Sequence, residues 1–365
     1  MGLCSSSAEP VVTEVVVHPD GTRTYPPGWS KYKVLILGTG GSGKSTIFKQ
    51  AHILGDGFSD IDRRLWSVRI FSGLLQMARA IVSCGGTHDE ITEAERVLLF
   101  SGGGGAEMAI FDELGTWDEC VVLIDVVHKV LADPKTASDA LFTVQPHLLD
   151  NSAKILLKIV PRICSPDFLA SNDEILRFAY PTNDVQRVVS DFPETNLALQ
   201  MIDVGGQRCE RAKWSGLVKQ CQTVLFVTSL DDYHKTLDED VTKNRLREAL
   251  VTFRQTRSIV NKNLPDAHTL LFLNKNDLFD ISLKTMPFKN FFPEYTGPTG
   301  GQAEIDGAKT FVADLFKDIH DNSAVSDVQQ FACHQTSAVD TGHMRMIFAL
   351  IGDMVLSSSL QESGF

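Results

Sequence analysis

The sequence predicts an α/β domain on a mostly parallel sheet, with an all-helical block inserted into it. Three observations carry this. Short apolar runs recur at residues 34–37, 197–202, 224–227 and 270–273, and such unbroken runs are typical of parallel strands covered on both faces. Helical patterns lie between them, as at 241–259, and alternating strands and helices imply crossover units in a parallel sheet. Between about residues 59 and 174 the alternation stops, and helical spacing takes over.

Composition bounds the function. The chain has 365 residues, enough for one large or two ordinary domains. Hydrophobic residues make up 43% and charged residues 22%, the balance of a globular protein. The best candidate for a membrane span, 120–131, is broken by Asp125, His128 and Lys129. The first apolar cluster, 11–17, lacks the preceding basic segment of a signal peptide, so a cytosolic protein is expected. A net charge of −12 argues against nucleic acid or bare anionic lipid as the main partner, because both repel an acidic surface. The seven cysteines include no CxxC pair, which suits reduced thiols better than a zinc site or disulfide framework.

The elements follow in order. Met1-Gly2-Leu3-Cys4-Ser5-Ser6 fits the N-myristoylation pattern, with Gly2 as acceptor, although so short a pattern also fits an ordinary N-terminus. Cys4 can carry a second acyl chain, and two lipids anchor durably where one anchors marginally. Residues 11–17, the turn Pro19-Asp20-Gly21 and residues 22–25 predict strand, turn and short strand, closed by Pro26-Pro27-Gly28. The first sheet strand, 34–37, follows. In the helical block, Leu65, Val68, Leu74, Leu75, Ala78 and Val82 recur at helical intervals over 61–82, and Gly102 to Gly105 marks a loop. Residues 331–334 predict a last, weakly marked strand.

Gly38-Thr39-Gly40-Gly41-Ser42-Gly43-Lys44-Ser45 matches GxxxxGK[ST] between a strand and a helix. In such a P-loop, glycines turn backbone N–H groups inward around phosphate oxygens, and the helix dipole adds to the attraction. Lys44 supplies charge to the β and γ phosphates, and the Ser45 hydroxyl is placed for Mg²⁺. The motif alone leaves ATPase, small-molecule kinase and GTPase open.

Base recognition narrows the choice. Asn274-Lys275-Asn276-Asp277 ends a buried strand as an NKxD tetrad. Asp277 can accept from N1–H and N2–H₂ of guanine, whereas adenine offers no donors there and would leave a carboxylate unpaired. The Lys275 stem can lie along the ring, and Asn274 can bind neighbouring loops. Asp203-Val204-Gly205-Gly206-Gln207 closes another strand. There Asp203 can reach Mg²⁺ through water, the Gly206 amide can approach a γ phosphate, and Gln207 can orient the attacking water.

P-loop, helical block, DVGGQR, LFLNKNDLF and a late Thr336-Ser337-Ala338, in that order, resemble the α subunits of heterotrimeric G proteins. The likeness runs from about Lys31 to the C-terminus and is dense at 203–214 (DVGGQRCERAKW), 229–245 (SLDDYHKTLDEDVTKNR) and 292–295 (FPEY). The resemblance implies a Ras-like GTPase domain at 31–58 and 178–365, an inserted helical domain at 59–177 and an N-terminal membrane or partner segment at 1–30. It implies a GTP/GDP switch with Mg²⁺ on Ser45 and Thr182. Its nucleotide-binding set is Gly40, Gly41, Ser42, Gly43, Lys44, Ser45, Thr46, Ser152, Leu176, Arg177, Thr182, Asp203, Gly206, Asn274, Lys275, Asp277 and Ala338, the last through its amide, with Gln207 as the catalytic residue. Implied partners are a βγ dimer, a G protein-coupled receptor, an effector and a GTPase-activating protein. The implied location is the cytoplasmic face of the plasma membrane, through lipid on Gly2 and Cys4.

The chain also departs from that family. The family's switch arginine aligns with Ala179 and its P-loop glutamate with Gly41, so both members of a pair are missing. G protein α subunits are themselves the standard illustration of a catalytic arginine supplied in cis, and such fingers contribute about 10³–10⁵ in rate. Slow hydrolysis is therefore expected, with Arg177 as the alternative occupant of the role and a GTP-loaded scaffold as the alternative function. In place of the family's charged N-terminal helix, residues 11–25 read as β. The βγ-facing set Arg208, Glu210, Arg211, Lys213 and Trp214 is retained, and Leu360 to Phe365 resembles the receptor-contacting tail.

Overall fold

The computed structural model describes residues 15–18, 22–83, 168–178, 185–192, 196–206, 208–237, 240–326 and 329–362, with isolated positions between 84 and 167. A two-stranded antiparallel ribbon comes first, β1 (Val16–Val17) with β2 (Arg23–Thr24). It is tied to the body by Arg23, which bonds both Asp56 and Asp191, and by the Tyr25 hydroxyl, which donates to Asp191 at 3.0 Å. The expected β character of this segment is present at 16–17 and 23–24. The turn at 19–21 lies outside the described residues.

The main sheet contains β3 (Ser30–Gly38), β4 (Gln186–Phe192), β5 (Leu197–Asp203), β6 (Thr223–Ser229), β7 (His268–Asn274) and β8 (Phe331–Gln335). Their order is β4-β5-β3-β6-β7-β8, parallel throughout except for β4, which runs antiparallel to β5. Every residue of β6 and β7 is buried, as the unbroken apolar runs require. The weak marking of β8 has a cause: it is an edge strand with half-buried residues.

Helices cover both faces. The main ones are α1 (Lys44–Leu54), α2 (Asp60–Ser83), α3 (Asn172–Arg177), α4 (Trp214–Val218), α5 (Arg245–Asn263), α6 (Asn276–Ser282), α7 (Gly301–Asp321) and α8 (Thr341–Glu362). Alternation along β3 separates two cores. Leu35 and Leu37 pack with Trp214, Leu246, Phe253 and Phe316, whereas Val34 and Ile36 pack with Ile47, Phe348 and Ile351. Each such fully buried side chain contributes about 1.5–3 kcal/mol. Phe292 and Tyr295 of the FPEY stretch belong to the first core.

α5 starts at Arg245, four residues later than the periodicity predicts. The reason is Asn244, whose side chain accepts from Arg247 N at 3.0 Å and caps the helix there. α3 begins with a capping box: Ser171 Oγ accepts from Glu174 N at 3.3 Å, and Glu174 Oε2 accepts from Ser171 N at 2.7 Å. In the helical block α2 is continuous, and Val126, Val127, Val130, Ile159 and Ile163 are helical and buried. Arg63 fastens α2 to the start of α3 through Ala170 O at 2.8 Å and Asn172 Oδ1 at 2.7 Å. Among the described residues no helix is long and apolar enough to cross a membrane.

Candidate functional site

The C-terminal ends of the parallel strands bring the sequence motifs together at one edge of the sheet, the usual place for a ligand in an open α/β fold. Between β3 and α1 the phosphate loop exposes Gly40 and Gly41 at its tip and buries Ser42. α1 opens without a side-chain cap or an acidic residue in its first turn, an arrangement that favours an anion at those amides. Gly43, the residue before α1, is left-handed at φ +96°, and a Cβ there would lie 2.2 Å from Asn274 Nδ2. Only glycine fits.

Lys44 is buried and donates to Gly38 O at 3.1 Å and Thr39 O at 2.7 Å. Burial pushes its amine down to about 8, Asp203 holds it up, and Arg211 pushes it down further. Thr46 Oγ1 donates to the Leu176 carbonyl at 3.5 Å, linking α1 to α3. Beside Ser45 a cavity of about 380 Å³ opens, lined among others by Phe48, Lys49, Trp66, Arg69 and Arg187.

β5 brings up the opposite wall. Asp203 is fully buried and accepts from Ser45 Oγ at 2.9 Å. Gly206 lies so close to the phosphate loop that a Cβ on it would fall 2.1 Å from Lys44 Nζ and 2.4 Å from Gly38 O. The Gly205 carbonyl accepts from Trp214 Nε1 at 3.3 Å. Arg211 reaches Gly206 O at 3.4 Å and Glu248 at 3.0 Å, fastening this loop to α5. Trp214, expected among the partner-facing residues, is 1% exposed and belongs to the core under the loop.

β7 and β8 supply the third wall. Asn274 is buried and ties its own strand end to two other segments: its Nδ2 donates to Ser42 O at 2.9 Å, and its Oδ1 accepts from Ala338 N at 3.0 Å and Thr336 Oγ1 at 3.2 Å. The Ala338 amide, expected at the base, thus meets Asn274. Lys275 is one of two described non-glycine residues at positive φ, +58°, a conformation that persists where the surroundings over-determine it. Asp277 is exposed and accepts from Ser337 Oγ at 2.9 Å.

Arg177 ends α3 paired with Asp173, Nε to Oδ1 2.6 Å, on its own helix. Gly2, Cys4, Ser152, Ala179, Thr182, Gln207 and the last residues of the tail lie outside the described residues. Two residues escaped sequence reasoning. Lys49 is buried, sits 4.4 Å over the Trp66 ring, and donates to Ile175 O at 3.0 Å and Phe178 O at 2.8 Å. Gln50 donates to Ala338 O at 2.8 Å. Both sit on α1, and nothing in the spacing marks them apart from a solvated helix face.

The comparisons with known proteins agree with this geometry. The family model described as "G-protein alpha subunit" matches residues 22–355. The chain is 30% identical over 340 residues to the guanine nucleotide-binding protein alpha-16 subunit of Caenorhabditis elegans, covering 91% of this chain and 90% of that protein. It has the same identity and coverage with the guanine nucleotide-binding protein G(o) subunit alpha of Lymnaea stagnalis. With the alpha-7 subunit of Caenorhabditis elegans it is 30% identical over 341 residues. With a P-loop, an acidic strand end and a loop held by Asn274 on one sheet edge, the chain belongs to the G-protein alpha subunit family, GTP-binding and GTP-hydrolysing transducers of signals.

Proposed function

We propose that this chain is a slow GTPase switch whose γ-phosphate sensor is the Asp203–Gln207 segment and whose base site is Asn274, Lys275 and Asp277 with Ala338. The observation that carries the reading is the close approach of Gly206 to Lys44, where a Cβ would lie 2.1 Å from Nζ, because a γ phosphate on the lysine would lie against the sensor loop. Gly40 to Thr46 cradle the phosphates, Leu176 and Arg177 border them, and Ser152 covers the nucleotide from the helical block. Mg²⁺ is the cofactor that fits. Ser45 hydroxyl and buried Asp203 carboxylate are hard oxygen donors 2.9 Å apart beside the phosphate loop, and Ser45 with Thr182 would ligate the ion, with Asp203 behind them. When bound, the ion neutralises charge on the phosphates.

Residues 31–58 and 178–365 form the GTPase domain in this reading, and 59–177 the helical insert. Lipid on Gly2 and Cys4 brings residues 1–30 to the cytoplasmic face of the plasma membrane. The partners are a receptor, an effector, a GTPase-activating protein and a βγ dimer, the last met through 208–213. Slow turnover rests on Ala179, and Arg177 pairs with Asp173 on its own helix.

Single-turnover hydrolysis of preloaded GTP tests the reading. Wild type is expected to be slow, Gln207→Leu slower and Ala179→Arg faster. A fast wild type that Ala179→Arg leaves unchanged would refute the slow-switch reading, and no turnover at all would leave a GTP-loaded scaffold.

A further inference from the structure

The last carbonyls of a helix have no partner within it, and for α3 the side chains of α1 supply two of these bonds. Thr46 Oγ1 donates to Leu176 O at 3.5 Å. Lys49 is buried, and its Nζ donates to Ile175 O at 3.0 Å and to Phe178 O at 2.8 Å. Those two bonds bracket Leu176 and Arg177, where α3 ends. From α2 the Trp66 ring lies 4.4 Å from the ammonium. The Phe178 ring lies against Gly73 of α2, where a Cβ would fall 2.7 Å from it. Phe178 is therefore gripped by its carbonyl from α1 and by its ring from α2. Lys49 follows Ser45 by four residues, so the two share one face of α1, about 6 Å apart along its axis. Both line the same cavity. Beyond Phe178 the chain reaches Thr182 in four residues.

We propose that Lys49 is a positioning residue for Mg²⁺-bound nucleotide: it fixes the root of the segment that carries Thr182 one helical turn from Ser45. The inference rests on the switch reading above, with Ser45 and Thr182 as the two hydroxyl ligands. An ammonium suits the place because it has three donors and no acceptor, so one group serves two carbonyls and still faces the indole. A segment held at its root has fewer conformations to lose when the ion orders it. Lys49 touches neither ion nor phosphate in this scheme, and acts only through the chain that it holds.

Three measurements test this: release of a fluorescent GTPγS analogue as Mg²⁺ is titrated, GDP affinity without Mg²⁺, and single-turnover hydrolysis of preloaded GTP. The variants are Lys49→Met, Lys49→Gln, Thr182→Ala and the Lys49→Met/Thr182→Ala double variant. Lys49→Met, which fills similar space without donors, should raise the Mg²⁺ concentration that half-suppresses release by about tenfold, and Mg²⁺-free GDP affinity should move by less than about threefold. Hydrolysis should slow with the loss of Mg²⁺. Lys49→Gln keeps an N–H donor on a shorter stem and should raise the requirement about threefold, which carries the test if Lys49→Met does not fold. In the Thr182→Ala background Lys49→Met should add less than about threefold, because both act through one contact. A lysine that merely supports the fold would add its full effect there and lower Mg²⁺-free GDP affinity in proportion, and either result overturns the proposal. An unchanged Mg²⁺ requirement in the Lys49 variants overturns it alone. A wild type whose release Mg²⁺ does not slow overturns the Mg²⁺ reading of the site together with it.

Discussion

Replacing Gly43 by alanine tests whether the phosphate loop and the base loop are one mechanical unit. The added Cβ would lie 2.2 Å from Asn274 Nδ2, and contact becomes comfortable only at about 3.5 Å, so the amide must retreat by about an ångström. It is held on both sides, by Ser42 O at 2.9 Å and by the donors Ala338 N and Thr336 Oγ1 at 3.0 and 3.2 Å. Losing one of these buried hydrogen bonds costs about 1–3 kcal/mol. A side chain in the left-handed region costs about 1–2 kcal/mol more. Gly57→Ala is the control for a side chain at positive φ without a clash, because Gly57 has φ +76° and nothing within 4 Å of its Cβ position. The assay is GDP dissociation followed with a fluorescent analogue. Gly43→Ala should release GDP about 5–150-fold faster than Gly57→Ala, which corresponds to 1–3 kcal/mol. Equal rates in the two variants would show that Asn274 yields freely, and the coupling of the two loops would be refuted.

Lys49 and Arg23 give two further tests. Burial pushes the Lys49 amine down to about 7 from 10.5, with Asp203 opposing and Arg69 assisting. Between those values the unfolded chain holds a proton that the folded chain lacks, so stability should rise with pH across the window and its cost should be complete below about 7. The stability difference between wild type and Lys49→Met should therefore grow in favour of wild type from pH 7 to 9, by at most about 1.4 kcal/mol per unit. A difference independent of pH in paired urea titrations would show that Lys49 does not titrate there. Arg23→Ala should release the N-terminal ribbon from Asp56 and Asp191 and leave nucleotide affinity intact. Hydrogen exchange at the His18 amide, which donates to Thr22 O at 2.8 Å, should accelerate about tenfold for each 1.4 kcal/mol lost. Unchanged exchange would mean that the ribbon holds itself.

The parallel strands were legible because burial on both faces leaves an unbroken apolar run, and the P-loop and NKxD stretch because glycine turns and a strand-end carboxylate have few other uses. β4 was not read. It is an edge strand with Arg187 exposed and Asp191 half-buried, so its alternation is diluted by charge. Lys49, Gln50 and Trp214 were invisible or misplaced for another reason: a polar or aromatic residue at helical spacing looks the same whether it faces water or the backbone of a distant segment. Arg257 illustrates the point. It is completely buried among neutral acceptors, Thr269 Oγ1 at 2.7 Å and Gln329 Oε1 at 2.6 Å, although arginines on helices are ordinarily assigned to solvent.

The three grips of Asn274 bear on how the cell could tell a finished chain from an unfinished one. The residues it joins lie near the beginning, in the last third and close to the end, at 42, 274 and 336–338. A chain that stops before β8 lacks the Thr336 and Ala338 half of the clamp and, with α8, the Phe348 and Ile351 side of the second core. A completed chain at a thousandfold excess of ligand over Kd gains about 4 kcal/mol from that ligand, and a chain without the clamp should gain less. Ligand-derived stability in this fold is therefore a property of the finished chain, completed only when its last tenth joins residues laid down near its beginning.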